Sequence, residues 1–403
     1  MPSLHALLRA FSRPLALGGA LGLSGCQLWP ASDGFPYTTT DPVSDFGYYT
    51  QDLYALITYV VVVIFVLVSI LLAVTLVRFK DDGSEGNPEQ IHGNVQMEIG
   101  WTLIPVLIVL TLIIPTISTI FKIADAPPAG AMDADGRVML NDDGLPVKPT
   151  VEIKVVGKRW WWEFEYVDSG LVTGNQFAVP DDRPVSLLIT SDTVIHSFWA
   201  PRIGGKRDAV PGRINRIWFN LDAEKLNIEP GKPHLIRGEC AEYCGEAHAL
   251  MRFEVLAMKG DDYDKWVREQ LTPPTFADAS VKDKGEAAFS AAGCGGCHVV
   301  RGNDGANGRQ GPDLTYFGDR KWVAAGVKDM YPQGDKTDPE FSRALLAQWI
   351  VDPNSIKPGT TADANPSRHL DGMNVPVTFE ENDPRVDALV DYLLAQTSSY
   401  PLR

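Results

Sequence analysis

The sequence predicts a multidomain protein with three parts: an N-terminal transmembrane α-hairpin, an all-β sandwich and an all-α C-terminal domain. Two apolar runs near the N-terminus are each long enough to cross a bilayer, which takes about 20 residues. Short β-rich runs separated by Pro, Gly and Asp predict an antiparallel sandwich or barrel. Helical periodicity around a loop-rich middle predicts the last domain. A chain of 403 residues has room for these parts.

Residues 1–26 have the pattern of a secretory signal peptide: Arg9 and Arg13, then a short apolar run, then small residues. The segment LSGC at its end fits a bacterial lipobox. This pattern predicts that Cys26 becomes the first mature residue and carries a lipid. An ordinary cleaved signal, which leaves Cys26 without a role, is the alternative.

The transmembrane hairpin is predicted over residues 45–124, with helices at about 53–79 and 99–121. A secretory start places the N-terminus outside the membrane, so two crossings return the chain to the outer side. Arg78 and Lys80 then flank the cytoplasmic end of the first helix, which agrees with the positive-inside rule. We therefore expect a protein of the bacterial inner membrane that contacts membrane lipids and has periplasmic globular domains.

The rest of the chain divides by composition. A linker is predicted over 125–150, the β domain over 151–270, a second polar linker over 271–284 and the α domain over 285–403. The net charge of −15 argues against a nucleic-acid partner. Most of the cysteines form close pairs instead of being spread through a small fold, which favours metal or haem binding over a disulfide framework.

The segment CGGCH at residues 294–298 predicts a covalently bound haem c in the C-terminal domain. Cys294 and Cys297 would form thioethers with the haem vinyl groups, and His298 would bind the iron. The helical surroundings fit a small cytochrome c fold. A redox or zinc Cys-x-x-Cys motif is the alternative, but no strand precedes the motif as a thioredoxin fold would need.

The sixth ligand of the haem iron has three candidates, which are Met330, His369 and Met373. We prefer Met373, because methionine ligation raises the reduction potential as an electron carrier on the way to oxygen requires. His369 would lower the potential and is the competing candidate, whereas Met330 fits packing or surface better. Pro312 in the segment GPDL is expected to hold His298 in place, with an ordinary turn proline as the alternative.

The loop GECAEYCGEAHALMRF, residues 238–253, has the residue types of a metal site. Cys240, Cys244 and His248, with the distant His196, would suffice for tetrahedral zinc, and the cysteines alone would suffice for a redox dithiol. Neither explanation uses the remaining sulfur ligand in the loop, Met251. A soft thioether favours copper.

Copper in this loop is predicted to be dinuclear. A mononuclear blue copper site uses one cysteine, and this loop offers one thiolate too many. Two bridging thiolates would hold two coppers, each bound by one histidine, His196 or His248, with Met251 and the carbonyl of Glu242 completing the ligand sets. The other histidines are His5 in the signal peptide, His92 between the membrane helices, His234 before a strand, His298 at the haem motif and His369 in the last domain.

These motifs together resemble subunit II of the haem-copper cytochrome c oxidases. The C-terminal haem domain is similar to that of the variant in which subunit II carries its own cytochrome c. The resemblance implies a cupredoxin-like sandwich that holds the dinuclear CuA centre. It is carried by the segments CAEYCGEAHALM, HSFW, KRDAVPGRINRIWF and GKRWWWEFEY, which follow the helical hairpin in the family's order.

Three further roles follow from the resemblance alone. The carboxylate of Glu242 would face a magnesium ion at the interface with subunit I. Trp160 matches the tryptophan through which electrons enter CuA, although Trp161 stands where the family often has tyrosine and a core or rim aromatic is the alternative. Glu98 matches the carboxylate at the mouth of a proton channel, with an interfacial carboxylate at a helix N-terminus as the alternative.

The resemblance implies an electron-entry subunit of a terminal oxidase. Electrons would pass from a periplasmic donor through haem c and CuA to subunit I, where oxygen is reduced to water with proton translocation, and subunit III would be a further partner. The oxygen chemistry itself would lie in another subunit. The alternatives are a subunit of a nitric oxide reductase, a copper chaperone and a structural metalloprotein.

Overall fold

Two long apolar helices form the N-terminal part of the chain in the computed structural model, which describes residues 37–80, 90, 93–124, 127–133, 136–330, 339–357, 373, 377–380 and 383–400. Helix α1 is Asp45–Arg78 and helix α2 is Val95–Ala124. Both are long and apolar enough to cross a membrane, with mean hydropathies of 3.4 and 2.5. The predicted signal peptide with Cys26 lies outside the described residues, as does His369.

Helix α1 begins earlier than the hydropathy predicts because a polar segment before the apolar run is also helical. The buried Ser44 caps this segment, and its side chain accepts a hydrogen bond from the Gly47 amide at 3.1 Å. Tyr48 then donates to Asp222 of the sandwich at 2.6 Å. The first turns of α1 are therefore fixed to the globular part of the chain, and only the later turns are exposed and apolar.

The β domain consists of two five-stranded sheets. The strands are β1 Val151–Lys158, β2 Trp161–Tyr166, β3 Val172–Gly174, β4 Gln176–Pro180, β5 Val185–Ser191, β6 His196–Trp199, β7 Arg207–Ala209, β8 Asn215–Phe219, β9 His234–Cys240 and β10 Arg252–Met258. One sheet has the order β3-β2-β1-β5-β8 and the other β4-β10-β9-β6-β7. Short helix α3, Ala223–Leu226, lies between β8 and β9.

The sandwich is confirmed, but the expectation of purely antiparallel pairing is wrong. Strands β1 and β5 pair in parallel, and so do β4 and β10. The chain leaves the first sheet after β3 and returns to it at β5, so the returning strand runs in the same direction as β1. Strand composition reports burial and not the neighbour in the sheet, which is why the pattern did not distinguish the two pairings.

An aromatic core holds the two sheets together. Phe198 stacks on Phe253 with ring centroids 4.4 Å apart, and Phe164 stacks on Phe177 at 4.2 Å. Trp162 meets Phe198 edge-on at 5.8 Å and has no exposed surface. Burying rings of this size stabilises the sandwich strongly. One end of this aromatic core lies beside His196, the first residue of β6.

Two segments differ from the prediction, one in the predicted linker and one at the end of the predicted β domain. Residues 130–149 form isolated bridges such as Gly130 with Pro149 within the predicted linker 125–150. Helix α4, Gly260–Gln270, ends the region predicted as all-β. Its Tyr263 and Trp266 are buried against the sandwich, and Tyr166 lies 6.0 Å from the Trp266 ring. Tertiary packing therefore stabilises a helix too short to be evident from the sequence.

The C-terminal region is helical, as predicted, but its first helix begins inside the predicted linker 271–284. Asp278 caps this helix by accepting from the Ser280 amide at 2.8 Å, so residues 279–284 are helical. The elements are α5 Ala279–Ala291, the short hairpin β11 Trp322–Val323 with β12 Lys328–Asp329, α6 Pro339–Val351, α7 Pro353–Ile356 and α8 Pro384–Leu394. Helices α5 and α8 pack together around Phe289 and Tyr392.

The C-terminal region is docked on the sandwich. The indole N–H of Trp322 donates to the buried carboxylate of Glu254 at 2.5 Å. The Arg252 amide donates to the Ala325 carbonyl at 2.9 Å. At the other end, the hydroxyl of Tyr400 donates to Asp262 on α4 at 3.0 Å. Contacts at both ends of the boundary fix how the haem motif faces the sandwich.

Candidate metal centre

The distant histidine of the predicted copper site reaches the loop through the sheet. Strand β6 begins at His196 and strand β9 ends at Cys240, and the two strands pair with Phe198 opposite Cys240. This register brings Nδ1 of His196 to 3.8 Å from Sγ of Cys240. His196 is fully buried, so its place in the site is set by the core.

The loop after β9 places the other predicted donor atoms around the two sulfurs. The Sγ atoms of Cys240 and Cys244 are 3.9 Å apart. The Cys240 thiol lies 3.2 Å from the carbonyl oxygen of Glu242. The Cys244 sulfur lies 3.6 Å from Nδ1 of His248 and 3.4 Å from Sδ of Met251. Each sulfur therefore has one histidine nitrogen and one further weak donor beside it.

The two thiols of the cluster shift each other's pKa in opposite directions. The hydrogen bond from Cys244 lowers the pKa of Cys240 far below its usual range. The same contact raises the pKa of Cys244, and burial adds to this effect. The pair therefore loses its first proton easily and holds its second strongly, since two adjacent thiolates repel each other in a buried site. A cation between the sulfurs would displace that second proton.

The donor set fits copper better than zinc. A tetrahedral zinc site would be complete with His196, Cys240, Cys244 and His248, and it would leave the thioether of Met251 without a function although that sulfur is 3.4 Å from Cys244. Soft thiolate and thioether ligands select copper. Of the described residues, His196, Cys240 and Cys244 form a buried group whose donor atoms lie within 4.8 Å of one another.

Two tryptophans touch this cluster from the strand β2 side. The indole N–H of Trp160 donates to the carbonyl of Cys244 at 3.1 Å. The ring of Trp162 lies edge-on to the His196 ring at 5.8 Å, and its N–H donates to the carbonyl of Met251 at 3.4 Å. The sequence pointed to Trp160, which lies in the turn before β2, but not to Trp162. The alternation of β2, which buries Trp162 on the same side as Phe164 and Tyr166, was the available signal.

A buried lysine from the C-terminal region also reaches this place. Nζ of Lys357 donates to the carbonyl of Trp160 at 2.6 Å, and the residue is 4% exposed. Burial lowers the pKa of Lys357 to about 7. Sequence analysis did not identify Lys357; its place between an apolar helix end and a Pro-Gly turn was the only hint.

The haem motif forms a short 3-10 turn at Cys294–Gly296 after helix α5. Both cysteines are free thiols, and burial raises the pKa of Cys294 to about 11. Nδ1 of His298 donates to the carbonyl of Pro312 at 2.8 Å, which is the orienting contact expected of that proline. Burial lowers the pKa of His298, so its ring is neutral and Nε2 is free to bind a metal.

The candidates for the sixth iron ligand lie in different places. Met330 is fully buried in the core of the C-terminal region, and its carbonyl accepts from Ser342 at 2.6 Å. This position fits packing. Met373 is half-buried, and the residues on either side of it lie outside the described residues. Its assignment remains a prediction.

The residues taken from the resemblance are exposed except for Trp160. The side chain of Glu242 points to the surface beside the cluster. Glu98 lies in the first turn of α2, where a carboxylate interacts favourably with the helix dipole, and its side chain is exposed. Trp160 is 4% exposed, and its carbonyl accepts a hydrogen bond from Lys357 of the C-terminal region.

Comparison with known proteins identifies the family. A profile of the transmembrane domain of cytochrome c oxidase subunit II matches residues 44–119, and one of the periplasmic domain of that subunit matches residues 169–258. Cytochrome c oxidase subunit 2 of Alkalihalophilus pseudofirmus is 32% identical over 343 residues, which cover 85% of this chain and 89% of that protein. The chain belongs to the cytochrome c oxidase subunit II family.

Subunit 2 of Bacillus subtilis is 34% identical over 342 residues, covering 84% of this chain and 87% of that protein. The crystal structure of the periplasmic domain of subunit II from Bradyrhizobium japonicum is 28% identical, with a TM-score of 0.26, and covers 29% of this chain and 91% of that one. The two family profiles identify the sandwich as the cupredoxin-like domain of a membrane-anchored subunit II.

Membership of this family gives the subunit its place in an oxidoreductase complex. Subunit II is the copper-binding CuA subunit through which electrons enter a terminal haem-copper oxidase. The comparisons do not favour the nitric oxide reductase and chaperone alternatives.

Proposed function

We propose that this subunit II carries electrons from a periplasmic donor through its own haem c and a dinuclear CuA centre to subunit I, where oxygen is reduced. The observation that carries the proposal is the arrangement of the two sulfurs of Cys240 and Cys244, 3.9 Å apart, each with a histidine Nδ1 within 3.8 Å. Two bridging thiolates, each paired with its own histidine, fit two metal ions and not one.

The residues that would hold the copper pair are His196, Cys240, Glu242 through its carbonyl, Cys244, His248 and Met251. Bound copper would supply one-electron redox chemistry. The protein contributes rigidity, since His196, Cys240, Cys244 and Met251 are all buried. A site that cannot rearrange when its charge changes keeps the reorganisation energy of electron transfer small.

Cys294 and Cys297 would attach haem c, and His298 and Met373 would bind its iron. The contact from His298 to the carbonyl of Pro312 supports this assignment, because a metal-binding histidine commonly donates its other N–H to a carbonyl. The relative from A. pseudofirmus aligns over 343 of the 403 residues. An alignment of that length includes the haem motif at residues 294–298 whichever residue it starts from. Bound haem would supply a second one-electron carrier.

The docked C-terminal region supports direct transfer between the two carriers. Lys357, just before the segment that leads to Met373, bonds to the carbonyl of Trp160, and Trp160 bonds to the carbonyl of Cys244. Trp160 would be an electron-entry residue, as in the relatives that the sequence resembles. Because it is buried here, the haem region and not a soluble protein would occupy the entry surface.

The remaining assignments concern the membrane and the other subunits. The exposed carboxylate of Glu242 would face a magnesium ion at the interface with subunit I, and exposed Glu98 would lie at the mouth of a proton channel. Cys26 would anchor the mature N-terminus through a lipid. The subunit would lie in the inner membrane with both globular regions in the periplasm, in contact with subunits I and III.

Spectroscopy of the detergent-solubilised full chain tests the proposal. We expect the spectrum of a covalently attached haem c and an electron spin resonance signal shared equally by two coppers. The variant Met330→Leu should leave the haem spectrum unchanged, whereas Met373→Leu should change the iron ligation. A copper signal localised on one ion, or a ratio of one copper per chain, would contradict the dinuclear assignment.

A further inference from the structure

The His298 side of the haem motif faces the sandwich through one loop. Nδ1 of His298 donates to the carbonyl of Pro312 at 2.8 Å. The preceding Gly311 lies flat against the imidazole, since a β-carbon there would be 2.4 Å from Cε1 of His298. The loop therefore couples the histidine tightly to Pro312, which is the point where this side of the C-terminal region meets the sandwich.

Across the boundary, Pro312 touches the last residue of strand β3. A β-carbon built on Gly174 would lie 2.4 Å from Cβ of Pro312, closer than side chains approach each other. Gly174 has no left-handed backbone conformation, so the close approach and not the turn geometry requires glycine here. Arg301 reinforces the contact by donating to the carbonyl of Val172 at 3.3 Å.

From Gly174 a short bonded route leads to the copper cluster. The amide of the next residue, Asn175, donates to the carbonyl of Trp162 at 2.8 Å, and the Trp162 amide donates back to the Asn175 side chain at 3.0 Å. The Trp162 ring then lies 5.8 Å from the ring of His196, centroid to centroid. Trp162 has no exposed surface, so water does not separate these groups.

We propose that electrons cross from the haem region to the copper cluster along this route, with the contact of Pro312 and Gly174 as the junction and Trp162 as the relay to His196. The inference rests on the proposed function. Each transfer moves one electron, with the iron oxidised and the copper pair reduced, and no bond is made or broken. The steps of this route are covalent or hydrogen bonds except for two, the contact of Pro312 with Gly174 and the ring contact of Trp162 with His196. A route with so few through-space steps favours electronic coupling.

A second route is available through Lys357 and Trp160. It reaches the cluster at a backbone carbonyl, that of Cys244, through the saturated side chain of the lysine. The route through Trp162 instead ends on the ring of a predicted copper ligand. The two routes share no residue, so separate variants distinguish them.

The test is the rate at which the copper centre is reduced after flash reduction of haem c in the full chain. Gly174→Ala adds a methyl group that must push the two regions apart at the junction, so we expect transfer to slow several-fold. The haem spectrum and the copper resonance signal should stay as in the wild type. Pro312→Gly, which keeps the carbonyl for His298 and removes the Cβ that meets Gly174, should slow transfer as well.

Two matched variants control for other causes. Trp322→Phe removes a docking contact whose two residues are not part of the route, and it should transfer at the wild-type rate, because the docked form remains the main one. Trp160→Phe removes the indole donor of the second route, and Gly174→Ala should slow transfer by the same factor in its presence as in its absence. Wild-type rates in both Gly174→Ala and Pro312→Gly would overturn the proposal, and so would equal slowing by Trp322→Phe. A wild-type chain without the haem spectrum or the shared copper signal would instead refute the proposed function.

Discussion

Replacing Trp322 by phenylalanine is expected to loosen the docking of the C-terminal region on the sandwich. The indole N–H of Trp322 donates to one oxygen of Glu254 at 2.5 Å, and Gln176 donates to the other at 2.7 Å. Glu254 is 5% exposed, so water cannot replace a lost donor freely. Phenylalanine keeps a ring for the guanidinium of Arg237, which lies 4.9 Å from the Trp322 ring, and removes only the donor.

The magnitude follows from the burial of the carboxylate. A hydrogen bond to a buried or charged group is worth about 1.5–3 kcal/mol, and leaving its oxygen unsatisfied accounts for much of that cost. A loss of about 2 kcal/mol raises the equilibrium constant for undocking roughly thirty-fold. Undocking stays a minor population if the other interdomain contacts hold.

Hydrogen exchange at the Arg252 amide measures this constant directly. That amide donates to the carbonyl of Ala325 across the boundary at 2.9 Å, so it exchanges when the regions separate. We expect its exchange to quicken by roughly the same factor of thirty. The Tyr166 amide, bonded to Leu171 inside the sandwich, should not change.

The control variant is Trp349→Phe, which alters a half-buried tryptophan that packs against the C-terminal core. It should leave the exchange of the Arg252 amide near the wild-type rate. Wild-type exchange in Trp322→Phe would refute the docking argument. Equal acceleration by Trp349→Phe would show that a loosened C-terminal core, and not the lost donor, opens the boundary.

Three other changes have defined outcomes. Burial raises the pKa of Glu254 above its unfolded value, so docking should weaken, and exchange of the Arg252 amide should quicken, as the pH rises through the folded pKa. Glu254→Gln should remove this effect of pH on the docking. Lys357→Met removes a buried ammonium whose pKa is lowered to about 7, and this shift costs the wild type roughly 4 kcal/mol of stability at pH 7. In thermal unfolding measured from pH 7 to 10, the wild type should therefore gain stability as the pH rises, whereas the variant should not. Met251→Leu should cost less than about 1.5 kcal/mol in unfolding measurements, yet speed copper loss to a chelator.

Local pattern was enough to predict the membrane helices and most of the metal cluster. Hydropathy alone identifies α1 and α2, because an apolar run as long as the one in each helix is stable in the hydrocarbon core of a bilayer. Cys240, Cys244, His248 and Met251 stand within one loop, so the sequence places them near one another before any fold is known. His196 needed an elimination among the histidines, and the pairing of β6 with β9 brings it to Cys240.

Features that depend on distant partners were beyond the sequence. Helix α4 carries its apolar Tyr263 and Trp266 at helical spacing, but among many charges and over only 11 residues, so the pattern was too short to distinguish it from a polar loop. The parallel pairing of β1 with β5 depends on which sheet the chain returns to. The bond between Trp322 and Glu254 joins residues that no periodicity relates.

The three consecutive tryptophans show what the fold adds to a motif. Trp160 lies in the turn before β2, and Trp162 lies within that strand. Both indoles donate to carbonyls of the copper loop, those of Cys244 and Met251. Trp161 instead lies under the ammonium of Lys158, which is 5.4 Å from the centre of its ring. The motif alone singles out Trp160 as an electron-entry residue through its match to the family, whereas the fold brings two of the three tryptophans to the cluster. Of the three, Trp162 is the one whose ring lies against the ring of a predicted ligand, His196, which is why the proposed route runs through it.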